Sequence, residues 1–137
     1  MSQTGLRDLD SMLAQLEPML DPECYVFTSH AEACYGDHSE LHPVASLMEP
    51  EGLTLVITRA CAQRHGFDVT QPFQRIVLKV HSDLMAVGLT AAVARALAAA
   101  GIPANIMAGA FHDQVFVPAD QGDRGVRVLQ ALADSAD

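Results

Sequence analysis

Gly101-Ile102-Pro103-Ala104-Asn105-Ile106-Met107-Ala108-Gly109-Ala110-Phe111-His112-Asp113-Gln114-Val115-Phe116-Val117 compresses a helix stop, two strands and a polar-aromatic turn into one run. Gly101 and Pro103 end the alanine-rich stretch before them, because glycine accepts the left-handed angles that close a helix and proline cannot continue one. Ala104 to Ala108 and Gln114 to Val117 read as paired strands, with Gly109 expected to supply backbone freedom where the chain reverses. Phe111, His112 and Asp113 are then expected at the tip of the hairpin. The run predicts a ligand-sized turn on a small sheet.

Working back from that run, Val87 to Ala100 reads as a helix with Leu89, Val93 and Leu97 at four-residue steps and Arg95 as its one charge. Its many alanines predict close helix packing or a partner surface. Phe73 to His81 reads as a strand, Ile76, Leu78 and Val80 facing one way and Arg75, Val77 and Lys79 the other. That alternation suits a sheet with helices on a single face. Beyond the hairpin, Val126, Leu129 and Leu132 predict a last helix over Gly125 to Ala133.

In the first half, apolar positions Leu6, Leu9, Met12, Leu13, Leu16 and Leu20 predict an amphipathic helix from Leu6 to Leu20, broken by Asp21-Pro22. Cys24 to Thr28 follows as a strand, and His30 to His42 as a mostly polar connection. Val44 to Met48 and Leu53 to Thr58 flank Glu49-Pro50-Glu51-Gly52, which signals a hairpin. Arg59 to Gly66 reads as a short helix, and Gln71-Pro72 as the seam between halves. The boundaries expected are 1–70 and 71–137. The second half spells β-α-β-β-α, one strand short of a ferredoxin-like unit, while the first has strands in surplus. A shared sheet would close both.

Composition limits the function classes. The chain has 137 residues, half of them apolar, which is ample for a core. A net charge of −9 with Lys79 as the single lysine leaves no basic stripe for phosphates, so neither nucleic acid nor an anionic membrane surface is an expected partner. No run approaches the roughly 20 apolar residues of a spanning helix, and no basic n-region precedes an apolar run, so the cytoplasm is the expected location. Cys24, Cys34 and Cys61 are odd in number and lack paired spacing, which reads as reduced thiols. Cys34, His38 and His42 stand at four-residue intervals, but Gly36 and Pro43 argue for a polar loop there rather than a metal site. No metal or cofactor is expected.

Three motifs together carry a resemblance: Glu49 to Leu55 (EPEGLTL), His81 to Thr90 (HSDLMAVGLT) and Ala108 to Val117 (AGAFHDQVFV). With them the chain resembles ACT domains, small βαββαβ amino-acid-binding modules of regulatory proteins, and more closely a family of small stand-alone bacterial tandem-ACT proteins. The resemblance runs from about Leu6 to Leu132. It implies an α+β fold of two intertwined ACT-like, ferredoxin-like subdomains, an antiparallel sheet with helices on one face, and edge-to-edge homodimers. It also implies an effector site in the loop from the first strand into the first helix, here Ser82 to Leu89. Phe111 and Gln114 stand where relatives often show tyrosine and a second histidine, which bears on ligand identity more than on fold.

The physics of that loop is legible without the family. A helix start leaves N–H groups unpaired, their partial positive charge suits a carboxylate, and Gly88 would let a ligand near the main chain. Ser82, Asp83, Met85, Ala86, Val87, Gly88 and Leu89 are therefore candidate binding residues. The plainer reading makes Ser82 or Asp83 a helix cap and Gly88 a relief of crowding against the sheet. A ligand's ammonium group needs acceptors, for which Asp113 ranks first, ahead of Asp83, Glu49 and Glu51. Gly109, Phe111 and His112 complete the candidate set; His112 reads equally as a turn-fixing hydrogen bond or a titratable wall.

Glu49 and Glu51 could serve as an acid and base pair, but no nucleophile motif, P-loop or zinc-binding helix accompanies them, so they are expected to cap a hairpin or to line the cleft. The leading expectation is an amino-acid sensor, acting through a partner protein or an oligomer interface. An interaction module with an empty pocket is the second, and an enzyme the least expected.

Overall fold

A computed structural model describes residues 5–136. Helix α1 (Leu9–Ala14) leads into strand β1 (Pro18–His30). A 3-10 turn at Ser39–Leu41, strands β2 (Ala45–Glu49) and β3 (Gly52–Thr58) and helix α2 (Arg59–Arg64) follow. Then come β4 (Phe73–Leu78), α3 (Leu89–Ala99), β5 (Asn105–Ala108), β6 (Asp113–Pro118) and α4 (Gly122–Asp134).

Of the described residues, 5–22 and 74–136 form one compact unit and 23–73 the other. In the first unit the strands hydrogen-bond in the order β1-β4-β6-β5. The opening residues of β1 thus supply the fourth strand that β4, β5 and β6 lack. Lys79 N–H donates to the Glu17 carbonyl and Val80 N–H to that of Leu16, prolonging the β1–β4 contact past the end of β4. Arg75 clamps the same pair of strands, its Nε and Nη2 donating to Asp21 Oδ2 at 3.0 and 2.7 Å. The core joins Met12, Leu13 and Leu16 of α1, Ile76 and Leu78 of β4, and Leu89, Val93 and Leu97 of α3. Val115 and Val117 of β6 and Leu129 of α4 complete it.

The second unit has the order β2-β3-β1. Val26, Leu53, Leu55 and Ile57 form a sheet face covered by Cys61 and Ala62 of α2 and by Leu41. Helix α2 starts where expected because Thr58 Oγ1 accepts from Cys61 N–H, 3.2 Å away, and it ends before Gly66, whose φ is 77°.

Four expectations are corrected. The first helix spans Leu9–Ala14 instead of Leu6 to Leu20. Asp8 caps its start, the carboxylate accepting from Ser11 N–H at 3.0 Å, and Pro18, which has no N–H to give the Ala14 carbonyl, keeps the helix from running on. Pro22, expected to break a helix, lies inside β1. The final helix begins three residues earlier than Gly125, at Gly122. Gly109 does not occupy positive φ. Its lack of a side chain serves close approach instead: a Cβ there would lie 2.9 Å from the His112 carbonyl oxygen, to which Gly109 N–H donates.

Helix α3 lies against α4, and Ala92 and Ala96 are partly buried, while Ala91, Ala94, Ala98 and Ala99 remain exposed. The stop at Gly101 is as the sequence predicts. Its φ is 73°, and the N–H groups of Gly101 and Ile102 reach back to the carbonyls of Ala98 and Leu97.

Candidate ligand site at the start of α3

Residues 79–88 carry the chain from β4 to α3 and are held from outside. Leu6 bridges Ser82, its N–H donating to the His81 carbonyl at 2.8 Å while its own carbonyl accepts from Asp83 N–H at 2.9 Å. Gly5 passes so near His81 that a Cβ would collide with the His81 carbonyl. Arg7 Nε adds an ion pair to Asp83 Oδ2 at 3.0 Å. The other carboxylate oxygen of Asp83 accepts from Met85 N–H at 2.7 Å, closing a turn. The Met85 hydrogen bond, then Arg7, hold the Asp83 carboxyl below the usual aspartate range.

The turn ends at Gly88, which precedes α3 with φ 104° and gives the helix no side-chain cap. The free end of α3 therefore presents the N–H groups of its first turn. Gly88 is favoured by its positive φ, and a Cβ there would also press on the Leu9 side chain, 3.2 Å from its Cδ2. The crowding relieved is against α1, where the sequence reading expected the sheet.

Opposite stands the β5–β6 hairpin. Its register pairs Ala108 with Asp113 and Ile106 with Val115. Asp113 therefore shares the pleat face of Val115 and Val117 and points with them to the helix layer. It is 8 % exposed, so the expectation of an Asp113 displayed at the tip is corrected. Burial raises its carboxyl above the usual aspartate range, opposed by the charge of His112. Among the described residues no donor is directed at this carboxylate.

Ser82, Asp83, Leu84, Ala86, Gly88, Leu89, Thr90, Ala108 and Asp113 enclose a cavity of about 130 Å³. All belong to the unit built from 5–22 and 74–136. The space is comparable to one known to admit a ring of six carbons. Of the candidates named from sequence, Ser82, Asp83, Ala86, Gly88, Leu89 and Asp113 line it.

Met85 and Val87 do not line the cavity; they are 75 % and 83 % exposed, turned outward by the Asp83 turn. Phe111 is half-exposed, with its ring centroid 4.9 Å from that of His81. His112 lies outside the lining too, its Nδ1 3.4 Å from the Val80 carbonyl, while Gly109 serves the turn. Gln114 Nε2 donates to the His112 carbonyl at 3.2 Å, bracing the same turn. Glu49 and Glu51 are in the other unit and absent from the lining. Glu49 closes its own hairpin by accepting from Thr54 Oγ1, and Glu51 is exposed in the turn.

Thr90 and Ala108 line the cavity without having been singled out from sequence, and Leu84 was covered only by the loop span Ser82 to Leu89. Thr90 was accessible as the second helical residue after Gly88. Ala108 needed the hairpin register, which places it across from Asp113.

Two ACT domain profiles match the chain, one over residues 4–74 and the other over 74–131. The chain belongs to the ACT domain family. A protein of unknown function from Vibrio cholerae, described as a possible transport protein, is 40 % identical with a TM-score of 0.82, over 91 % of this chain and 95 % of that one. The regulatory subunit of aspartate kinase from Thermus thermophilus, in a ligand-free form, shares the fold at a TM-score of 0.61 and 10 % identity, over 84 % of this chain and 95 % of that one. Aspartokinase alpha and beta subunits give the same TM-score at 11 % identity, over 85 % and 97 %. Comparison with curated proteins returns no match. No helix among the described residues is long and apolar enough to cross a membrane.

Proposed function

We propose that the chain is a regulatory sensor of the ACT type that binds a free amino acid in the cavity at the start of α3. The α-carboxylate rests on the uncapped N–H groups of the first turn, and the ammonium group faces Asp113. The observation that carries this reading is the pairing, in one cavity, of an uncapped helix start with a buried carboxyl that has no donor of its own among the described residues. Opposite partial charges at the two ends of a small space suit a zwitterion. Met85, Val87 and Phe111 frame the mouth in this reading, Gly109 and His112 hold the turn, and Glu49 and Glu51 have no part in binding.

The sensor is proposed to work in the cytoplasm as a homodimer, without catalysis of its own, by passing the free-energy difference between filled and empty states to a partner protein. Such coupling is usually worth about 1–3 kcal/mol. Three free cysteines suit a reducing compartment. The likeness to aspartate kinase regulatory subunits supports a regulatory role by fold alone.

Thermal unfolding in the presence of each of the twenty amino acids tests the proposal. At about 100 times its dissociation constant the right one stabilises the protein by roughly 2.7 kcal/mol, and Asp113→Asn diminishes the effect. Unfolding indifferent to all twenty would favour the second reading, an interaction module with an empty pocket. That reading draws on exposed Leu84, Met85, Val87 and Phe111 around the loop and hairpin.

A further inference from the structure

Asp113 sits in an environment fit for a neutral carboxylic acid, yet the role proposed for it above requires a carboxylate. Three observations define the conflict. The residue is 8 % exposed on the pleat face of the core residues Val115 and Val117. No hydrogen-bond donor among the described residues is directed at it, and the charge of neighbouring His112 only opposes the effect of burial. It borders a cavity large enough for a small organic molecule.

The other charged and titratable groups around the cavity have their positions already assigned. Asp83 is held by Arg7 and by Met85 N–H. His81 stacks with Phe111, and His112 leans on the Val80 carbonyl. Helix α3 contributes the positive end of its dipole and no side-chain cap. Ala108, across the hairpin, brings no charge.

We infer that amino-acid binding at this site is coupled to the release of one proton from Asp113, so that the sensor reads pH together with ligand concentration. The inference rests on the proposed binding site and adds its regulation. In the empty cavity the carboxyl holds its O–H bond to higher pH than a free aspartate does, because Asp113 is largely shielded from solvent and accepts no hydrogen bond from the described residues around it. When the ligand's ammonium group arrives, that bond breaks, its proton passes to solvent, and the carboxylate forms a charge-assisted pair with the ammonium, which keeps all its own hydrogens. A carboxylic acid of the same shape without the amine leaves Asp113 protonated.

The raised Asp113 carboxyl agrees with this order of events. Affinity for the amino acid falls with acidity by at most about tenfold per pH unit, the limit for a single linked proton. Affinity for the des-amino acid does not, above about pH 6 where its own carboxyl is fully ionised.

Calorimetry on the full chain tests the coupling. Each of the twenty amino acids, and the des-amino acid matching any that binds, is titrated in buffers of different ionisation enthalpy between about pH 4 and pH 8, a range spanning the unperturbed aspartate and histidine values. The heats for the amino acid are expected to depend on the buffer, reporting up to one proton released. That dependence is expected to vanish for the des-amino acid above about pH 6, where its own carboxyl carries no proton, to disappear in Asp113→Asn and to survive in His112→Gln.

Binding whose heat is indifferent to buffer at every pH would overturn the coupling and leave the sensor reading intact. Release lost in His112→Gln would reassign the proton and overturn it equally. If none of the twenty produces any heat, the sensor reading itself falls, and the coupling with it.

Discussion

Asp113 places a carboxyl group where a hydrophobic residue would stabilise the fold, and this sets its response to pH. Its folded-state pKa lies above the unfolded value, so its favourable contribution is complete below the unfolded aspartate value of about 3.9 and is lost as pH rises through the folded value. Asp113→Asn is therefore expected to raise the melting temperature at neutral pH, with the gain disappearing in acid below about pH 4. Equal melting curves for both proteins at every pH would show that the carboxyl is well solvated.

His30 has the opposite sign. It is buried, its ring centroid 4.4 Å from that of His38, and its Nε2 shares a hydrogen bond with Thr28 Oγ1 at 2.8 Å. Desolvation and then His38 hold its pKa below the ordinary histidine value, with Glu40 opposing. Its contribution is present above about pH 6.5, the unfolded value, and is lost as pH falls through the lower folded one. Denaturant midpoints monitored at β3 amides should drop over that acidic range, and His30→Gln should flatten the decline.

At the scale of elements, the connection from β4 to α3 is shaped by a residue at each end. Asp83 closes a turn onto Met85 N–H, and Gly88 turns the chain into the helix at a φ of 104°. Gly88→Ala is expected to cost about 1–2 kcal/mol, because left-handed angles bring a Cβ too near the carbonyl. Pairing it with Leu9→Ala should restore little of that loss, since the contact with Leu9 is the smaller part. Urea unfolding of the single and double variants measures both. Full recovery in the double variant would show that crowding, and not backbone strain, sets the requirement for glycine. Any substitution at Gly88 thus tests folding as much as binding, and a binding test is better placed at Asp113.

For the whole molecule, the first unit is assembled from both ends of the sequence. Residues 74–137 alone contain β4, β5 and β6 but lack the strand that β1 supplies, together with Met12, Leu13 and Leu16 from the core. That fragment is expected to remain largely unfolded by near-ultraviolet circular dichroism and amide exchange. Joined to residues 1–22 through a long flexible Gly/Ser linker, it should gain native-like exchange protection. Protection in the bare fragment would mean that three strands and two helices bury enough apolar surface by themselves.

Local periodicity was enough to read most elements. The two-residue alternation around Ile76 and Leu78, the four-residue steps of Leu89, Val93 and Leu97, and the punctuation by Gly101 and Gly52 depend on neighbours in the chain, so they predict strands, helices and turns where these stand. The three motifs were enough for the ACT family. The extent of α1 was misread because Leu20 keeps the helical spacing while Pro18 forbids the helix, and a hydrophobic period does not register a missing N–H.

What tertiary structure alone decided is which groups meet across long separations. Leu6 and Arg7 anchor a loop more than seventy residues away, Ala108 faces Asp113 through hairpin register, and Glu49 is kept for its own turn. Above all, Asp113 looked like an exposed turn residue and proved to be a buried carboxyl. Whether a charge faces water or protein depends on the parity of a strand's register, and a slip of one residue would have reversed it.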